Sequence, residues 1–245
     1  MSFFKENLAV NRLLFFVTAF RRFVLEIAIG FVLLTLLIYW YSPDLLTLLQ
    51  IHLDQKLAFF GVFEPVIALI KLSSVVALIL MAPWIMVRIG NVLSSAFGLR
   101  RIFIVLFVFF GLLLFYAGAT FCFLVTLPFG VKFLLGYQSE VVKPVISVGK
   151  FVDFTGLFLL SFGLIFELPL IMTLVCRLGV CTPDTFSSKR RYAILIIAIL
   201  AAALTPTPDV FNMSLMALPL YFLYEIGIVV ARLVCKRPQE QPSSA

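Results

Sequence analysis

The chain has 245 residues, 63% of them hydrophobic, only 13% charged and 28 of them Phe, with a mean hydropathy of +1.15. A soluble domain holds about 45–50% apolar and about 25% charged residues, so a water-soluble enzyme or binding domain is excluded and most of the mass belongs in lipid. The net charge of +7 is explained by membrane topology, as its distribution shows below, and not by nucleic-acid binding.

The first 22 residues, "MSFFKENLAVNRLLFFVTAFRR", mix charge with apolar side chains. They lack the basic, apolar, small order of a cleavable signal peptide and read as an amphipathic arm at the membrane surface. Six apolar segments follow, near 23–42, 66–87, 102–125, 151–176, 192–205 and 211–231. With no alternating polar and apolar stretches to build a barrel, they predict an all-α integral membrane protein of six spans. The end, "KRPQEQPSSA", brings residues 236–245 to a polar composition expected of a disordered tail.

Basic residues fix the expected orientation. Fourteen of the 19 Lys and Arg fall in the arm, the 88–101 and 177–191 loops and the tail, against Lys56, Lys132, Lys143 and Lys150 on the other side, with Lys71 inside the second span. That asymmetry predicts both termini on the cytoplasmic side, or its organellar equivalent. The fifth segment is short: "YAILIIAILAAAL" stops at "TPTPD", a reach of roughly 20 Å against about 30 Å of hydrocarbon. The last segment is interrupted by Pro219. Two adjacent short helices predict local thinning of the bilayer.

Few residues carry chemistry. Glu167 lies mid-span in "SFGLIFELPL", where a charge costs roughly 2.5–3.5 kcal/mol. Gly156, Gly163 and Glu167 share one helical stripe, and Pro169 denies Ile165 its backbone donor, so the carboxyl is expected to line a polar recess or to pair with another helix. Glu26, beyond Arg21 and Arg22, reads as an interfacial ion pair with them. Asp153 and Asp209 read as helix caps, whereas Glu225 lies deeper and is less easily dismissed, although Arg232 two turns on could snorkel toward it. The four Cys and the single His52 make no metal-ligand pattern, and unpaired thiols in a reducing compartment are expected. No HExxH, G-x-S-x-G or Walker loop occurs, so no catalytic residue, metal or cofactor is expected.

The order of these features resembles one family, TatC, the six-span core subunit of the twin-arginine protein translocase. "LLLFYAGATFCFLVTLPFGVKFL" (112–134), with Pro128, resembles its third span and outer loop. "FVDFTGLFLLSFGLIFELPL" (151–170) resembles its fourth, with Glu167 at the place of the family's buried glutamate. "KRRYAILIIAILAAALTPTPDVFNMSLMALPLYFLYEIGIVVAR" (189–232) resembles its last two. "FEPVIALIKL" (63–72), with Glu64 and Pro65, resembles the start of span two, and Pro83 matches a proline within it. The resemblance implies a curved, glove-like bundle in a bacterial inner membrane or an organellar one of bacterial origin. It implies a receptor that binds signal peptides of folded cargo and gathers single-span TatA and TatB partners, as a homo-oligomer within a larger complex, with transport driven by the proton gradient. Glu167 would face the pocket, while Thr205, Asp209 and Asn212, with Glu225 further along the same span, would form the docking region for a partner.

Two positions depart from the family. It reads the arginine pair through a glutamate in the arm and another before Arg-Arg in the first cytoplasmic loop; here Ala19 and Leu99 stand at those places. Glu6, Glu26 or Asp184 would have to substitute, or the cargo is read differently. Other readings are a proton-coupled small-molecule transporter using Glu167 and Glu225, and a membrane subunit that has lost recognition.

Overall fold

The computed structural model describes residues 21, 23–53, 57–135, 146–204 and 210–235. The arm with Glu6 and Ala19, Thr205, Asp209 and the 236–245 tail lie outside the described residues. Helix α1 (Phe23–Tyr39) meets α2 (Ser42–Leu53) at a 73° bend. Pro43 cannot donate a backbone bond across it, and the Ser42 hydroxyl closes the corner on Tyr39 O at 2.7 Å. Helix α3 (Glu64–Phe97) opens with Pro65 in its first turn, where a missing N–H costs nothing. It ends at Gly98, whose φ of 60° lets its N–H return to Ser94 O.

Helix α4 (Arg101–Phe121) runs through a π-helical turn, Cys122–Thr126, into α5 (Leu127–Leu135). Pro128 explains the turn: without its N–H the Leu124 carbonyl loses its usual donor, and the ladder slips so that Leu127 N–H reaches Cys122 O. Helix α6 (Val148–Phe166) is followed by α7 (Leu168–Arg177), the short α8 (Pro183–Ser188), α9 (Arg190–Leu204) and α10 (Val210–Val234). The two-residue strands β1 (Leu57–Ala58) and β2 (Ile146–Ser147) pair in parallel, Leu57 with Ile146 and Ala58 with Ser147.

Glu64–Ser95, Arg101–Lys132, Val148–Arg177 and Met216–Val234 are each long and apolar enough to cross a bilayer, and α1 with α2 makes a fifth such span if the bent pair is one. The chain is a multi-pass membrane protein. Its outward faces stay apolar, with Leu36, Phe109, Leu164 and Ile199 exposed, as they must where lipid is the solvent. Helix α9, the remaining apolar segment, has 15 residues and reaches only about 22 Å, short of about 30 Å of hydrocarbon.

Lipid offers no hydrophobic drive for helix association, so close packing of small against large residues must supply it. A Cβ on Gly118 of α4 would stand 2.6 Å from the Phe162 carbonyl of α6, and one on Gly163 of α6 would stand 2.7 Å from the Phe115 ring of α4. Around this contact the rings of Phe121, Phe158, Phe162 and Phe166 stack at centroid distances of 5.8–6.3 Å. These residues belong to one core, which Leu49, Leu53, Leu127 and Val131 extend. A second core joins α7, α9 and α10 through Met172, Ile197, Leu220, Tyr224 and Ile228.

At the end of the bundle where α3 and α6 begin, Glu64 ties both helices together. Its Oε2 accepts from the Phe60 and Gly61 amides at 2.7 and 3.2 Å, and its Oε1 from the Gly149 amide at 3.0 Å and from the Ser147 hydroxyl. Further along, Lys71 of α3 meets Asp153 of α6 at 2.7 Å. Asp153 is therefore a cross-helix partner and not the expected cap. Helix α6 begins at Val148 with Ser147 as its cap, which places Asp153 inside the helix.

Gly118→Leu should force α4 and α6 apart at a cost of about 1–3 kcal/mol or more, read as a lower melting temperature in detergent; an unchanged value would refute the contact. In Glu64→Ala, hydrogen exchange at the Phe60, Gly61 and Gly149 amides should quicken at least about tenfold, as expected for losing charge-assisted bonds, while amides of α4 keep their protection.

Candidate functional site

Glu167 occupies the joint between α6 and α7, with φ −72° and ψ −10°. Pro169 breaks the ladder, so α6 ends at Phe166 and α7 begins at Leu168. The span Val148–Arg177 is thus built of two helices end to end, joined at one acidic residue. The joint is held by Glu167 N–H to Leu164 O at 3.1 Å, Ile171 N–H to Glu167 O at 2.9 Å and the Thr173 hydroxyl to Pro169 O at 2.8 Å. Gly227 of α10 backs it: a Cβ there would lie 3.1 Å from Pro169 Cα and 2.6 Å from Met172 Sδ.

The side chain turns inward and is 4% exposed. It lies where α3, α4 and α7 converge. A Cβ on Gly111 of α4 would stand 3.5 Å from Glu167 Oε2, 3.3 Å from Met86 Sδ of α3 and 3.1 Å from Leu170 Cδ2. Oε1 is buried with no hydrogen-bond partner among the described residues. The carboxyl is enclosed by protein, facing neither acyl chains nor an open channel of water. Leaving a buried polar atom unpaired costs about 1–3 kcal/mol. Folding alone gives no reason to keep it.

The arginine-rich end of the bundle pairs its acids differently from the local spacing. Glu26 of α1 pairs with Arg88 of α3, across helices; Arg22 lies outside the described residues. Glu225 of α10 is gripped by Arg190 of α9, Nε to Oε1 at 2.8 Å and Nη2 to Oε2 at 2.9 Å, and the Tyr221 hydroxyl donates to it at 2.9 Å. Arg232, about 10 Å further along the helix, turns away to Asp184 at 3.5 Å and Ser187 Oγ at 3.1 Å. Asn212 is on the first turn of α10, about 20 Å along the helix axis from Glu225, so those two do not form one docking point.

Leu99 follows the left-handed Gly98 in the turn between α3 and α4. The Arg88 partner was missed, yet a signal for it exists: residues 72–87 carry no charge before Arg88, and a guanidinium that closes so apolar a run calls for an acid on a neighbouring helix. No group of three His, Cys, Asp or Glu among the described residues could hold a metal ion.

A family model for TatC, the Sec-independent protein translocase protein, matches residues 16–219. The TatC of Carboxydothermus hydrogenoformans is 33% identical over 228 residues, 91% of this chain and 92% of its own. The chain belongs to the TatC family. The TatC of Escherichia coli is 30% identical over 220 residues, 86% of this chain and 84% of its own. A crystal structure of the twin-arginine translocase receptor TatC in DDM aligns with a TM-score of 0.78 at 27% identity, covering 88% of this chain and 99% of that one. The TatC fold therefore extends over 88% of this chain.

If the buried carboxyl of this TatC chain serves something other than folding, removing it should stabilise the protein. Glu167→Met, which fills a similar volume, should raise stability by about 1–3 kcal/mol, seen as a higher melting temperature in detergent. A lower value would mean that the group is a structural fixture.

Proposed function

We propose that this chain is the receptor subunit of a twin-arginine translocase in a bacterial inner membrane. In this reading it binds the signal peptides of folded cargo, keeps both termini on the cytoplasmic side and gathers single-span TatA and TatB partners. The observation that carries it is the fold shared with the twin-arginine receptor along nearly that receptor's whole length. The asymmetry of basic residues supports the orientation. A small-molecule transporter is not favoured, since membership of a translocase family accounts for the same buried carboxyl.

Glu167 is the pocket residue in this reading. A carboxyl with an unpaired oxygen, enclosed at the hinge between α6 and α7, offers an acceptor to a polar group brought by a signal peptide or a partner's span. Such an ionisable group within a span is functional by default. The short α9 would thin the lipid beside it, and the outer turn at Thr205, Asp209 and Asn212 is the proposed partner dock. Transport driven by the proton gradient and assembly into homo-oligomers belong to the same proposal.

The test is site-specific photo-crosslinking from positions 99 and 167 to a synthetic signal peptide in membranes, alongside an export assay. A crosslink that weakens when the peptide's arginine pair becomes a glutamine pair, with Glu167→Gln losing most export at equal abundance, is the expected result. Equal crosslinking of both peptides together with normal export by Glu167→Gln would overturn the reading.

A further inference from the structure

A receptor for an arginine pair needs carboxylates, because only they match the guanidinium fork in charge and in bidentate geometry. The described acids at the arginine-rich end are Glu26, Asp184 and Glu225, among Arg21, Arg88, Arg100, Arg101, Arg177, Lys189, Arg190, Arg191 and Arg232. Each of the three already faces an arginine of the chain itself. An incoming arginine pair meets a positive field that repels it and, among the described residues of that end, no vacant carboxylate. To bind, it must exchange with a resident guanidinium.

The three pairs differ in how readily they exchange. Glu225 has both oxygens on Arg190 and a third bond from Tyr221, and this triad fixes α9 to α10. Asp184 sits on the six-residue α8, outside the spans, and its contact with Arg232 is long at 3.5 Å. The Glu26–Arg88 pair joins two spans through a single guanidinium, with side chains 42% and 37% exposed. It is open enough for a competitor to reach, yet the facing oxygen, Oε2, is itself shielded from solvent.

We propose that Arg88 is an internal stand-in for a cargo arginine. Glu26 is the carboxylate that receives one guanidinium of the signal peptide, and Arg88 occupies it until the peptide displaces it. This inference rests on the arginine-pair receptor reading. Exchanging one guanidinium for another leaves the carboxylate paired throughout, and the released Arg88, 37% exposed in the pair, turns its charge to water. A lysine pair, offering point charges without a fork, competes poorly against Arg88. The resident arginine thereby sets a threshold that only an arginine-bearing segment crosses, and it does so although Ala19 and Leu99 supply no acid of their own.

The experiment measures binding of a fluorescent signal peptide to the full chain in lipid nanodiscs by anisotropy, with arginine-pair, lysine-pair and glutamine-pair versions. Arg88→Gln should tighten the arginine-pair peptide about tenfold, the scale of one charge-assisted contact no longer contested. Arg88→Lys, which keeps an interhelical pair and guards against misfolding, should fall between wild type and Arg88→Gln. Glu26→Gln should weaken binding and erase the preference for arginine over lysine, and adding Arg88→Gln to it should restore nothing. If both Arg88 variants bind as wild type does and Glu26→Gln keeps the arginine preference, the stand-in role is overturned while the receptor reading survives. If wild type itself binds arginine and glutamine peptides equally, the receptor reading fails and this inference with it.

Discussion

The approach of α4 to α6, where Gly118 meets the Phe162 carbonyl and Gly163 meets the Phe115 ring, is the contact on which the rest of the structure depends. In lipid the apolar faces of two helices gain nothing by leaving the solvent, so association rests on contact density. Two glycines on opposite helices let each backbone sink between the aromatic rings of the other. That spacing sets the distance at which Gly111, one helical turn short of Phe115 on α4, comes up against the Glu167 carboxyl. A wider gap would admit lipid or water to that side chain. The burial of the acid follows from the glycines.

The prolines show how far a membrane helix can be broken while its backbone groups stay satisfied. Pro83 and Pro219 lie inside continuous helices, whereas Pro128 and Pro169 coincide with a π-helical turn and a hinge. At Pro128 the slipped ladder recovers a bond, Leu127 to Cys122, and the chain remains a single span. At Pro169 the ladder is interrupted, and the freed corner is stabilised by the Thr173 hydroxyl on Pro169 O and by Gly227 at its back. The residue left at that corner is an acid. A break in a span tends to be kept where protein covers it, and here α3, α4 and α10 cover the inner side of the joint while Leu164 and Ile171 keep an exposed apolar face.

How much of this could be read from the chain divides along one physical line. Apolar length, the proline and the mid-span acid are properties of a single segment, and they are visible without knowing any neighbour. Ion pairing is not. Helical spacing alone assigned Glu26 to Arg21 and Arg22 and Asp153 to a cap, and put Arg232 no more than within reach of Glu225; the structure sends Glu26 to Arg88, Asp153 to Lys71 and Glu225 to Arg190. Each true partner lies on another helix, at an azimuth that depends on how the bundle rotates about its glycine contacts. The sequence did carry a hint in its isolated charges: Lys71 and Arg88 each stand in an apolar surrounding of α3, and each is answered by an acid on a different helix. A lone charge in a span predicts a partner without naming it.

Glu167 has a further consequence through its place between the two cores. Helix α6 is packed into the core built with α4 and α5, while α7 is packed into the core shared with α9 and α10. Covalently, the passage from one to the other is a single residue whose Oε1 has no hydrogen-bond partner among the described residues. Any polar group that bonds this oxygen contacts the joint directly, and the free energy gained, about 1–3 kcal/mol for satisfying a buried polar atom, is of the size by which a ligand shifts a two-state equilibrium several-fold or more. An acid placed deep in either core would be inert to both ends of the chain. Placed at the joint, it stands where a bonded polar group bears on both helices, α6 with its aromatic core and α7 with the core it shares with α9 and α10.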